Sequence, residues 1–218
     1  MVQAVFPRWA NAAFVAGFAV TGLFIVVVPG VAMIEAYEPP ITGEDHASEQ
    51  PVAFDHRHHV LDDGIDCRYC HDGVERSASA GMPPTSRCLN CHVQVWNHAP
   101  ALDAVRLSFA KSQPIRWRRV YQLPDFVFFH HAAHLARGVG CASCHGRVDQ
   151  MAKVYQAVPL TMGWCLDCHR HPENALRPED RITDMAYAPS AEEQHRIGTA
   201  LVSSGHISPP LDCSGCHR

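Results

Sequence analysis

Five cysteine pairs set the terms on which this chain can fold. They are Cys67/Cys70, Cys88/Cys91, Cys141/Cys144, Cys165/Cys168 and Cys213/Cys216, and they use all ten cysteines. Each pair encloses two residues and is followed at once by a histidine: His71, His92, His145, His169 and His217. His fills 16 of 218 positions, so five such histidines by chance have odds on the order of one in a million against the C-x-x-C-H pattern. That pattern is the attachment signal of c-type haem. The thiols add to the porphyrin as thioethers, and the adjacent imidazole reaches the iron. Zinc ribbons need four ligands and no fixed trailing His. Disulfide frameworks and thioredoxin-type pairs need no His at all. The pattern therefore implies five covalent haem c groups, with these five histidines as proximal ligands.

Five haems change the folding problem. With the first 45 residues set aside, about 35 residues remain for each haem, too few for a large aliphatic core. The expected fold is mainly α and irregular, with haems as the core and one N-terminal transmembrane helix. A formal charge of −4 and a pI near 6.4 exclude nucleic-acid binding through bulk charge.

From Trp9 to Ile34 the chain has 26 residues without a charged side chain or His. As a helix this is about 39 Å, longer than the roughly 30 Å hydrocarbon core. It is also longer than the 7–15 residue core of a signal peptide, so a retained anchor is expected over residues 1–36. Arg8 precedes the span, and Glu35, Glu38, Glu44 and Asp45 follow it. This bias places the N-terminus in the cytoplasm and the haem domain on the extracytoplasmic side of the membrane. Trp9 and Tyr37 stand where interfacial aromatics belong, and Pro29-Gly30 is expected to kink or end the helix. Residues 37–51, with Pro39-Pro40, read as a linker, and 52–218 as the pentahaem domain.

That domain repeats itself. Phe54-x-His56-x-x-His59 lies eight residues before Cys67, and Phe129-x-His131-x-x-His134 lies seven before Cys141. Each is followed by a second site, Cys88-Leu-Asn-Cys91-His92 or Cys165-Leu-Asp-Cys168-His169. The domain is thus a two-haem unit used twice, over 52–98 and 127–171, with a fifth haem at 205–218. Residues i and i+3 share one face of a helical turn, so two imidazoles can serve two haems. The element resembles that of class III multihaem cytochromes c, where the first His caps the haem just downstream and the second caps another. His56, His59, His131 and His134 are accordingly expected as distal ligands. For the fifth, His206 lies seven residues before Cys213, while His58 and a methionine (Met162 or Met185) are alternatives. A thioether there would raise the iron's potential. His46, His98, His130, His171 and His195 are read as non-ligands.

Ile115–Tyr121 alternates as a short strand would, followed by a turn at Leu123–Phe126. Arginine outnumbers lysine, 16 to the two of Lys111 and Lys153, which suits bidentate pairing with haem propionates. Ser190-Ala-Glu-Glu193 reads as a capping box.

The whole pattern is similar to the pentahaem cytochrome c subunit of bacterial alternative complex III, a quinol:electron-acceptor oxidoreductase. The resemblance covers the anchor and residues 52–218. It rests on Phe54–His59, Gly64–His71, Ile115–Phe129, Gly138–Met151 and Leu160–Arg170. It implies partners: an iron–sulfur subunit related to molybdopterin enzymes, quinol-binding membrane subunits, and a downstream cytochrome c or terminal oxidase. The implied function is electron transfer in a membrane complex of respiration or photosynthesis. The competing function is a membrane-anchored quinol dehydrogenase that feeds periplasmic reductases. A multihaem reductase is the third; it needs an open iron, and eleven histidines remain after the five proximal ones to close every site. No catalytic residue is expected.

Overall fold

The structure, a computed structural model, describes Pro7, residues 9–35 and residues 43–217. Arg8, Tyr37, Glu38 and Pro39-Pro40, which entered the topology and linker expectations, lie outside the described residues, as does Arg218. The chain divides into two units, Met1–Gly43 and Glu44–Arg218.

The first unit holds helix α1, Ala10–Glu35. Its stretch Ala10–Ile34 has a mean hydropathy of 2.3 and is long and apolar enough to cross a membrane. It is apolar all round, and its large side chains from Phe14 to Ile34 are exposed, which suits a lipid environment rather than water. Of the two outcomes expected at Pro29-Gly30, an end to the helix does not occur: α1 runs on past Pro29. Proline removes one N–H donor, here the partner of the Ile25 carbonyl, and the helix continues past that one missing bond.

The second unit is short helices joined by loops: α2 Cys67–Cys70, α3 Thr85–His92, α4 Asp103–Ala110, α5 His131–Leu135, α6 Ala142–His145, α7 Met162–Arg170 and α8 Ala191–Gly205. A π-helical turn, Arg57–Asp62, precedes α2. Single-turn 3₁₀ segments at Pro172–Asn174 and Cys213–Gly215, among others, complete it. Among the described residues, β pairing is confined to isolated bridges such as Val127–His217.

Residues 115–121 do not form the expected strand. Gln50 takes the place of a partner strand: its side-chain amide donates to the Arg118 carbonyl at 3.0 Å and accepts from the Arg118 N–H at 2.9 Å. The turn after it is present, with the Val127 N–H on the Pro124 carbonyl. Ser190 caps α8 by accepting from the Glu193 N–H, but the Glu193 carboxylate pairs with Arg196 instead of closing a box.

The aliphatic core is thin. Among the described residues the buried apolar side chains are Val52, Val105, Met151, Ala175, Leu176 and Met185. At roughly 1.5–3 kcal/mol for each fully buried large side chain, this cannot offset the ordering of so long a chain. The best-packed region joins α8 to the 172–174 turn. Gln194 donates to the carbonyls of Glu173 and Leu176, both at 2.8 Å. Gly198 lets the backbones meet, since a Cβ there would lie 1.9 Å from the Glu173 oxygen.

Candidate haem sites

The C-x-x-C-H stretches are helical, or nearly so, because one turn of helix places the two sulfurs and the following imidazole on one side. Local capping starts those turns. The Asp66 carboxylate accepts from the Arg68 N–H before α2, Thr161 accepts from the Trp164 N–H before α7, and Asp212 accepts from the Gly215 N–H before the last site. Asp66 is fixed further by Arg68, whose guanidinium holds its carboxyl down at about 2.

The two F-x-H-x-x-H elements build the same ring geometry. Phe54 meets His56 edge-on at 4.7 Å and stacks on His59 at 4.4 Å. Phe129 meets His131 edge-on at 4.7 Å and stacks on His134 at 4.6 Å. In both units the amide two residues before the first cysteine closes on the carbonyl of the second motif histidine. The pairs are Ile65 to His59 at 2.9 Å and Val139 to His134 at 3.1 Å. The first loop is one residue longer, and the π turn, with the Asp63 N–H on the His58 carbonyl, takes up the extra residue.

The imidazoles test whether haem fits. A ring nitrogen bonds a metal at about 2.0–2.1 Å and lies about 1.1 Å from its own ring centre, so two imidazoles across one metal have centres about 6.3 Å apart. His59 and His92 stand 6.1 Å apart, His134 and His169 6.2 Å, and His131 and His145 6.3 Å. Each pair joins an expected distal ligand to an expected proximal one.

The second ring nitrogen supports the same use, because metal-bound histidines hand their other N–H to a carbonyl or carboxylate. Nδ1 lies 2.8 Å from the Gly81 carbonyl in His71, 3.0 Å from Val95 in His92, and 2.8 Å from Pro210 in His169. Among the distal set, His59 meets the Asp55 carbonyl at 3.0 Å, His131 meets Ala78 at 2.8 Å and His134 meets His130 at 2.9 Å. With Nδ1 as donor, Nε2 carries the free lone pair. Among the described residues no group of three His, Cys, Asp or Glu converges as a metal held by protein atoms alone would require. The pairs fit haem iron, with four ligands supplied by a porphyrin.

His56 differs from its counterpart His131: its Nδ1 is buried without a partner. Burial first, then the neighbouring His71, pushes His56 down to about 4. Burial first, then His131, does the same to His145. Burial also lowers His134. These rings are neutral at pH 7, the form that ligates metals. Burial pushes the Cys144 thiol up to about 12, and no disulfide joins any of the ten cysteines.

The fifth site is less complete. The ring set against His217 is Phe126, at 5.8 Å. His206 ends α8 in the left-handed conformation, φ 48°, and is exposed. Met162 opens α7 and is exposed, whereas Met185 is buried. His58 stacks on Trp96 at 5.7 Å, and its two ring nitrogens face Asp62 and Asp63. His130 caps α5, accepting from the Ala133 N–H. Many arginines are already paired within the chain, among them Arg57 with Asp55, Arg87 with Asp72 and Arg147 with Asp149.

Sequence reasoning missed the carbonyls of Ala78, Gly81, Val95 and Pro210, since any residue type supplies a carbonyl. It also missed Tyr121, whose ring lies edge-on to His145 at 4.5 Å.

Repeated C-x-x-C-H turns faced by carbonyl-anchored imidazoles are the architecture of a multihaem c-type cytochrome. Over 98 residues the chain is 39% identical to the multihaem cytochrome c subunit of menaquinone reductase from Nitratidesulfovibrio vulgaris. The match covers 44% of this chain, which spans about half of that protein's length (46%). No protein-family model matches the chain.

Proposed function

We propose that this chain is the electron-transfer subunit of a membrane quinol-oxidising complex, with five haem c groups and no catalytic centre of its own. The observation that carries this reading is the set of imidazole pairs 6.1–6.3 Å apart. When bound, haem supplies reversible one-electron exchange between ferric and ferrous iron. The chain's residues do the rest. The ten cysteines would attach the groups, and His71, His92, His145, His169 and His217 would be the proximal ligands. His56, His59, His131 and His134 would be distal ligands, with His206, or else His58 or Met162, as the fifth. Carbonyl-held Nδ1 atoms fix ring orientations, and a second protein ligand on every iron would leave no position for a substrate.

The relative's name, menaquinone reductase, supports a quinol-linked complex, and the apolar α1 supports anchoring in the bacterial cytoplasmic membrane with the haems outside. Alternative complex III, with an iron–sulfur subunit related to molybdopterin enzymes, polytopic quinol-binding subunits and a downstream cytochrome c or oxidase, is the assembly this reading favours.

The test is intact mass together with carbon monoxide. The purified chain should exceed its polypeptide mass by five haems, and its reduced spectrum should not change with carbon monoxide. Stoichiometric binding at one haem would revive a catalytic site. Menaquinol oxidation by the isolated chain would favour the quinol dehydrogenase.

A further inference from the structure

The contacts between C-x-x-C-H segments do not follow sequence order. Within the first unit, Asn90 beside Cys91 donates to the Tyr69 hydroxyl at 2.9 Å, and Arg87 beside Cys88 lies 4.9 Å over the Tyr69 ring. The His59 ring lies 6.1 Å from that of His92, and His71 adds to the lowering of His56, three residues away on the same turn. Within the second unit, the His131 and His134 rings lie 6.3 and 6.2 Å from those of His145 and His169.

The units meet at their first sites. The Thr183 hydroxyl donates to Asp66 at 2.9 Å, while the adjacent Ile182 carbonyl accepts from the Cys141 N–H at 3.0 Å. One dipeptide thus ties Asp66-Cys67 to Cys141. The His131 and Ala132 amides dock on the carbonyls of Ala78 and Ser77, in the loop that follows His71. At the far end of the second unit, the Pro210 carbonyl accepts from His169, and the Phe128 N–H bonds the Cys216 carbonyl at 2.7 Å.

Each cysteine pair would attach one haem, so sites tied directly to one another by these contacts would hold neighbouring haems. We infer, building on the haem reading above, that the five sites stand in one row in the order His92, His71, His145, His169, His217. The second site in sequence becomes one end of the row and the fifth the other. The connector 93–128 brings the chain back from that end to the centre. His58, beside His59 and Trp96, belongs to the His92 end, so the distal ligand of the His217 site is His206 or Met162.

The order is read without any variant by locating the irons in crystals of the full holo-chain from anomalous scattering at the iron edge. The iron of the Cys67/Cys70 haem should have two nearest neighbours, those of the Cys88/Cys91 and Cys141/Cys144 haems. The iron of the Cys165/Cys168 haem should lie between those of the Cys141/Cys144 and Cys213/Cys216 haems. An iron of the Cys88/Cys91 haem closer to that of the Cys141/Cys144 haem than the iron of the Cys67/Cys70 haem is would overturn the order. An iron missing at any of the three inner sites would overturn order and haem count together. One missing at an end would overturn the count, and the order would be read from the other four.

Discussion

The unit that starts at Phe54 and the unit that starts at Phe129 place rings on the same pattern by different backbones. Phe-to-His distances agree within 0.2 Å between them. Yet the first winds a π turn and the second an α-helical one. A one-residue insertion was absorbed in hydrogen bonding along the turn, and the ligand positions were kept. The units differ most in how the first motif histidine is held. His131 Nδ1 reaches across to Ala78 of the other unit, whereas His56 Nδ1 is buried alone. The second unit therefore leans on the first, and its first site stands at their junction.

Removing haem attachment at the junction should have the largest effect. Cys141→Ala/Cys144→Ala is expected to prevent accumulation of a folded haem domain. Cys88→Ala/Cys91→Ala, at an end of the row, should give a stable protein one haem lighter. Intact mass and haem-stained gels read both. Equal survival of the two variants would remove the distinction between centre and end.

Opening an iron comes next. His131→Ala and His56→Ala should each let the reduced protein bind one carbon monoxide. His131→Ala also removes the Nδ1–Ala78 hydrogen bond while the backbone amide of residue 131 stays on that carbonyl, and should cost about 0.5–1.5 kcal/mol more in denaturant unfolding. The reverse order would mean that the Ala78 contact contributes nothing. Either His206→Ala or Met162→Ala should open an iron, and His58→Ala should not.

Acid gives a third measure. His56 and His145 are held near 4, below their unfolded value of about 6.5. Between those values the unfolded chain binds more protons than the folded one, so stability rises with pH and is lost as pH falls from about 6.5 towards 4. Each group contributes on the order of 3 kcal/mol of this, fully present at pH 7. Iron on Nε2 acts in the same sense, because a ligated nitrogen takes no proton. Urea midpoints at pH 7.5 and 5 should differ accordingly, and a flat profile would count against both placements.

The smallest effect is expected from deleting Asp62, which is exposed and lies in the π turn. The first loop then has the length of the second, and the turn should become α-helical. Stability should change by less than about 1 kcal/mol, with no carbon monoxide binding gained. A larger loss would show that the π turn itself positions His56 and His59.

The sequence alone determined what is local. Ten cysteines with five trailing histidines carry the c-type haem signal, and F-x-H-x-x-H at i and i+3 specifies rings that share a turn. Ser190 and the apolar run of α1 carried equally direct signals. The Ile115–Tyr121 strand failed because alternation shows only which side chains could face a core, and Gln50, 68 residues away from Arg118, took the partner's place. The tertiary structure decided which carbonyls hold His71, His92, His131 and His169, that Ile182-Thr183 ties Asp66 to Cys141, and that His58 stacks on Trp96. Those are meetings between backbone groups and remote segments, and neither residue type nor spacing encodes them.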